Sequence, residues 1–220
     1  MEPTVRQERP KTQVRRAPHK QVTSREALDA VLDAALVAHV AVPAPGRLAV
    51  VPTGMARDGD RLLIHGSTAS QAFRFLATGV ETCTTITLLD GVVVARSQFE
   101  SSMNYRSAML FGGYTALEGS EKARALAVLS EALMPGMTQA RTPSAQELVA
   151  TSVLALPLTE WSLKVSAKDA PDDASEDLDS PVWGGIVPLR HTWGEPLSAP
   201  GIPGDPAVPA ALADWPEGRS

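Results

Sequence analysis

Two Asp-Gly pairs, Asp58-Gly59 and Asp90-Gly91, each separate short runs rich in Val, Leu, Ile and Thr. A two-residue type I′ turn needs positive φ at both central positions, which Asp and Gly tolerate best. Each pair therefore reads as a tight reversal between strands: 48–55 with 61–65, and 82–89 with 92–97. A further strand at 37–42 is joined to the first hairpin only by the turn at 43–46. Strands connected by so few residues must be antiparallel, because a parallel pair needs a crossover of a dozen residues or more.

The remaining elements agree. Thr23 and Glu26 have the spacing of a capping box, and Leu28, Val31, Leu32 and Ala35 follow on one helical face, which predicts a helix to about Leu36. A short helix should carry Phe73 and Leu76 inward. A strand at 104–117 contains Gly112 and Gly113, a signal of a bulge or tight bend. A helix over 120–133, started by Ser120, ends at Pro135-Gly136, a shorter one starts around Pro143 and Ser144, and 153–165 reads as a last strand interrupted at Pro157. Strands outnumber crossover helices, so a doubly wound parallel sheet is disfavoured and an antiparallel barrel with flanking helices is expected.

The ends differ from the middle. Residues 1–25 carry seven Lys/Arg against two Glu, whereas 168–220 carry ten acids against three Lys/Arg. Residues 1–21 lack periodicity and read as a disordered basic arm. A nucleic-acid role for it is disfavoured, because it has no aromatic residue to stack on bases. Residues 191–220 read as a Pro-rich arm, with Trp183, Trp193 and Trp215 arguing for partial docking. That leaves one domain over 22–190. The single cysteine, Cys83, excludes an intrachain disulfide and reads as a buried strand residue; the four histidines show no zinc-site spacing. No apolar run is long enough to span a membrane and no signal-peptide core follows the N-terminus, so a cytoplasmic protein is expected.

The segment 61–71 holds the most chemistry. A strand ends in Gly66, Ser67 and Thr68, and a helix begins beyond Ser70 and Gln71. Glycine lets a backbone approach a ligand, and hydroxyls with free N–H groups at a helix start suit a phosphate. The same residues also make an ordinary turn and cap. His65 reads either as a proton donor near a ligand or as a strand-end histidine bonded to backbone. Tyr105 and Arg106 should point to opposite faces of their strand. Lys164 reads as an exposed strand-edge lysine or a ligand contact, and Trp183 as an anchor or a cover over a groove.

The blocks 52–67, 87–91, 95–97, 103–107, 111–112, 154–157, 164–165 and 182–189, taken in order, resemble the pyridoxamine 5′-phosphate oxidase-like, FMN-binding split-barrel superfamily, in particular its flavin-nucleotide-binding or nitroimidazole-resistance branch. The resemblance spans about residues 22–190. It implies a six-stranded antiparallel split barrel that forms a homodimer, with FMN in a groove at the interface. It implies a phosphate site near Ser67, Thr68, Ser70 and the following helix, Pro52 and Thr53 beside the isoalloxazine ring, and Arg106 and Ser107 reaching the cofactor from another side, with Lys164 and Trp183 as further contacts. Many relatives have a basic residue after the serine of the phosphate segment. Here it is Gln71, which donates a hydrogen bond without charge; either Arg74 one turn on compensates, or FMN binds weakly and another ligand uses the groove.

What the resemblance implies for function is a flavin-dependent oxidoreductase acting on a small molecule, nitroaromatics among the candidates, with NAD(P)H as electron donor and His65 as the catalytic candidate. The Pro/Trp-rich tail offers only Arg190 and His191, which disfavours vitamin B6 oxidation. The alternatives are a non-catalytic flavin- or haem-binding module and a deazaflavin-dependent reductase on the same barrel.

Overall fold

The computed structural model describes residues 11–44, 46–136, 140–202, 204 and 206–213. The chain runs β1 (Gln21–Val22), α1 (Arg25–Ala34), β2 (Val37–Ala44), β3 (Arg47–Asp58), β4 (Arg61–Ser67), α2 (Gln71–Leu76), β5 (Glu81–Val94), β6 (Ser102–Gly113), β7 (Thr115–Ala116), α3 (Gly119–Leu133), α4 (Ala145–Ala150), β8 (Thr151–Pro157), β9 (Glu160–Ser166), β10 (Gly185–Pro188) and α5 (Ala210–Ala213). The ten strands form one sheet in the order β1-β9-β6-β5-β2-β3-β4-β8-β7, with β10 added beside β5. Every strand pair is antiparallel. This is a split β-barrel: the path has two ends, β1 and β7, and four more strands than the six expected.

Period-2 burial shows which way each strand faces. Along β5, Thr82, Thr84, Ile86 and Leu88 are buried, while Cys83, Thr85, Thr87 and Leu89 are not. The inner face is filled by Leu28, Val31 and Leu32 of α1 and Phe73 and Leu76 of α2, packed on Met55, Leu62, Ile64, Ile86, Leu110, Leu154 and Leu163. Full burial of such a side chain contributes about 1.5–3 kcal/mol. A buried hydroxyl pair, Tyr114 Oη to Thr84 Oγ1 at 2.8 Å, ties β5 to the end of β6, and desolvation raises the Tyr114 phenol above its ordinary range. On the outer face, α3 lays Ala125 and Leu129 over Ala56, Leu63, Val153 and Ala155. The rest of that face is left open by the helices.

Several sequence expectations need correction. The cap of α1 is Ser24, whose Oγ accepts from Ala27 N; Thr23 lies outside it. The cap residue of α3 is Glu118, without a side-chain bond, rather than Ser120. Asp90-Gly91 is no hairpin: β5 runs straight through it, and the pairing with β6 shifts there as a bulge. The reversal lies between Val94 and Ser102. The stretch 153–165 is two strands, β8 pairing with β4 and β7, and β9 pairing with β6 and β1. Cys83 is half-buried on the outer face, and desolvation pushes its thiol pKa up. Structure begins before Thr23, because Gln21 and Val22 pair with Lys164 and Leu163. Trp215 lies outside the described residues.

Candidate functional site on the open sheet face

Register shows which residues share the open face. Pro52, His39, Thr85, Met109 and Ser162 stand opposite one another on five consecutive strands. The adjacent row is Thr87, Ser107, Lys164 and Gln21, with Thr87 Oγ1 and Ser107 Oγ 3.1 Å apart. On the other side, a methyl at Gly54 would lie 3.9 Å from His65 Cε1, so the His65 ring faces outward beside β3. Pro52, His65, Ser67, Ser107 and Lys164 therefore lie on one surface, although they come from four strands.

Thr53, Gly66 and Arg106 point the other way. Thr53 Oγ1 reaches the His65 carbonyl at 3.4 Å, which joins β3 to β4. Gly66 has a packing reason: a Cβ there would lie 2.5–2.8 Å from three ring atoms of Phe73. The glycine admits an aromatic ring, so close approach of a ligand is not needed to explain it. Arg106 is gripped in two places by Asp90, at 3.0 Å through Nε and 2.7 Å through Nη2. That carboxylate raises the guanidinium pKa further, and Asp90 is in position because it is the extra residue of the β5 bulge.

The segment after β4 is already engaged in its own turn. Ser67 Oγ accepts from Ala69 N, Ser70 Oγ accepts from Phe73 N, and Thr68 donates to the Ala150 carbonyl. The Ser67 and Ser70 hydroxyls are acceptors in these bonds, so each retains a proton to donate. Gln71 and Arg74 are exposed, and the Arg74 side chain has no hydrogen-bond or ion-pair partner among the described residues. Lys164 is half-buried and likewise unpartnered. Trp183 is largely exposed, with its ring over the backbone of Gly185 on the far side of β5.

Two observations bear on a ligand. His65 Nδ1 is buried with no hydrogen-bond partner, a condition that costs roughly 1–3 kcal/mol when nothing else meets the atom. The open face also carries large exposed apolar side chains, among them Leu48 at 81 % and Val50 at 61 %. Two cavities, of about 350 Å³ between Leu32, Met55 and Val128 and about 520 Å³ near Asp58, Arg61 and Glu121, share no residue with it.

Sequence reasoning missed His39, Thr85 and Thr87. Their odd-numbered spacing along β2 and β5 marked them as one-faced, but only the strand order places them beside Pro52 and Ser107. It also missed Lys20. Among the described residues no three His, Cys, Asp or Glu side chains gather as a metal site, and no helix is long and apolar enough to cross a membrane.

The split barrel with a polar row across an open apolar face defines a class of small-molecule-binding barrel. Within that class, residues 24–165 match the Pyridoxamine 5′-phosphate oxidase family, and the chain belongs to it. Among solved structures, the FAD and heme binding protein from Mycobacterium smegmatis is 43% identical, with 91% of this chain and 100% of that one covered and a TM-score of 0.87. A flavocytochrome from Azotobacter vinelandii is 35% identical over 91% of this chain and 94% of that one, with a TM-score of 0.86. A putative 5-nitroimidazole antibiotic resistance protein from Bacteroides thetaiotaomicron, 20% identical over 66% of this chain and 86% of that one at a TM-score of 0.56, shares the fold. No curated protein matches the chain.

Proposed function

We propose that this chain binds a flavin nucleotide on the open sheet face and serves as a redox protein, working as a homodimer. The observation that carries the reading is the face itself, a surface that α3 leaves uncovered, with Pro52, His65 and Ser67 towards one end and Ser107 and Lys164 towards the other. The likeness to a FAD and heme binding protein and to a flavocytochrome supports it. Those names make FAD the first flavin to test, ahead of FMN.

A bound flavin supplies hydride and single-electron transfer, and the protein supplies binding, orientation and exclusion of water. The β3 backbone at Pro52 and Thr53 forms a wall for a flat ring. His65, whose ring faces outward beside β3, stands at the edge of that wall as the candidate proton donor or acceptor. Ser67, Thr68, Ser70, Gln71 and Arg74 suit an anionic end, with Arg74 supplying the charge that Gln71 lacks. The electron donor is NAD(P)H and the acceptor a small molecule, with nitroaromatics first in a screen.

Exposure supports the homodimer. Leu48, Val50, Val37 and Met109 face outward from adjacent strands, with Val92 and Met103 farther along the same face, and a monomer rarely leaves so many large apolar side chains to water. A second reading, haem, is favoured by the likeness to a FAD and heme binding protein and a flavocytochrome, with the outward-facing His65 as the candidate axial ligand.

The test is an absorption spectrum of the purified protein before and after addition of FAD, FMN or deazaflavin in parallel. Retained flavin bands, bleached on addition of NAD(P)H, are expected. A Soret band lost in His65→Ala would support haem. A protein that retains none of these chromophores would refute the reading.

A further inference from the structure

We propose that Lys20, from the N-terminal arm, joins Lys164 on the open face to form a receptor for a phosphate group. The flavin reading bears only on which phosphate this is, because a flavin nucleotide and a phosphorylated second substrate carry the same chemistry.

The arm is mounted on the sheet. Gln21 pairs with Lys164, and its side chain holds Val14 N at 3.0 Å and Thr12 O at 3.3 Å. Further back, Lys11 pairs with Glu81 and Glu160 and lies over the Phe111 ring. Lys20 Nζ donates to Ser166 Oγ at 3.0 Å and stands 6.0 Å from the centre of the Tyr105 ring. Ser166 opposes Tyr105, and Lys164 opposes Ser107 in the next row. Residues two apart on a strand lie about 7 Å apart on the same face, within reach of two flexible ammonium groups.

Among the described residues neither ammonium is paired with a carboxylate. Serine and tyrosine position Lys20 without cancelling its charge, and Lys164 has no partner among the described residues. The carboxylates nearby have cations of their own: Asp172 is bound by Lys168 at 2.5 Å, with Lys20 and His19 only adding to the lowering of its pKa, and Glu160 is bound by Lys11. Beside Lys164, the Ser107 and Thr87 hydroxyls bond each other, which uses one proton and leaves the second to donate. Two cations and a free hydroxyl proton match the several acceptor oxygens of a phosphate. β9 lies five strand spacings from β4, about 24 Å along the sheet. The receptor is therefore built on different strands from the Ser67–Ser70 turn of the same chain.

The test uses the full chain and its variants Lys20→Gln, Lys164→Gln and Lys20→Arg, titrated with riboflavin, FMN, FAD and inorganic pyrophosphate. Each Gln variant is expected to weaken a phosphate-bearing ligand about tenfold or more, with Lys20→Arg close to wild type. Weakened FMN or FAD with unchanged riboflavin assigns the phosphate to the flavin. Weakened pyrophosphate with unchanged flavins assigns it to a second substrate. Unchanged binding of every ligand, or equal loss of riboflavin and FMN, would overturn the inference. A wild-type protein that binds no flavin, but binds pyrophosphate through Lys20 and Lys164, would sink the flavin reading and leave this one standing.

Discussion

Gly66→Ala separates a packing role for this glycine from a ligand role. The added methyl would sit 2.5 Å from Phe73 Cε2, 2.7 Å from Cζ and 2.8 Å from Cδ2. Carbon atoms rest at about 3.5–4.0 Å, so the ring must retreat by roughly 1 Å. Phe73 is 6 % exposed and belongs to the main core, where overpacking costs about 1–3 kcal/mol. At about 2 kcal/mol, and about 2–4 °C per kcal/mol for a chain of this length, the melting temperature should fall by roughly 4–8 °C. The assay is a thermal melt of ligand-free protein, with Phe73→Leu made alone and in the Gly66→Ala background. Leucine removes the atoms that clash, so the double variant should lose less than the sum of the singles. A Gly66→Ala protein that melts with wild type but fails to bind flavin would refute the packing argument and restore close ligand approach as the reason for glycine.

Further outcomes follow from other contacts. Tyr114→Phe leaves the Thr84 hydroxyl buried and unpaired, so it should cost about 1–3 kcal/mol in urea unfolding, and Thr84→Val in that background should recover part of the loss. Asp58 is held at about 2 by hydrogen bonds from Arg124 and then Arg61, so its contribution is present above the ordinary carboxyl value of 3.8 and is lost as pH falls towards 2. Urea midpoints of wild type and Asp58→Asn should therefore converge over that window, from a difference of about 1 kcal/mol after solvent screening. Val50→Asp with Leu48→Asp should shift the protein to monomer in light scattering without lowering its helix and strand content, because both side chains already face water in the single chain.

The two Asp-Gly pairs show what sequence could and could not settle. At Gly59 φ is +59° and the hairpin between β3 and β4 forms, but Asp58 pairs with Arg61, so the central residues are Gly59 and Asp60, and with positive φ at the first alone the turn is not the type I′ expected. At Gly91 φ is not positive; there a Cβ would lie 2.7 Å from the carbonyl of Val187 on β10. Gly91 is small so that a strand nearly a hundred residues later can dock, and Asp90 is taken by Arg106. The same dipeptide thus serves a local turn once and a long-range contact once, and only the first is visible in a window of ten residues. Similarly, either Thr23 or Ser24 could cap α1 by composition. The division of 153–165 between two distant parts of the sheet is a property of topology rather than propensity.

The site was legible in its parts rather than in its assembly. Alternation along β5, β6 and β9 separates Thr87, Ser107 and Lys164 from the core residues between them. What alternation cannot give is the neighbour on the next strand. The order β9-β6-β5-β2-β3-β4 brings Lys164 onto the same face as Pro52 and His65 while keeping Lys164 five strands from Ser67. A compact ligand cannot touch both ends of that row in one chain, yet both ends carry unpartnered polar groups: the Lys164 ammonium at one, His65 Nδ1 at the other. Between them lie side chains as apolar as Val37, Val50 and Met109. An apolar middle with unsatisfied polar ends is satisfied together when a second copy covers the middle and brings the other end of its own row across. That arrangement requires each ligand to be held by both chains, so loss of the dimer and loss of ligand should occur at the same protein concentration.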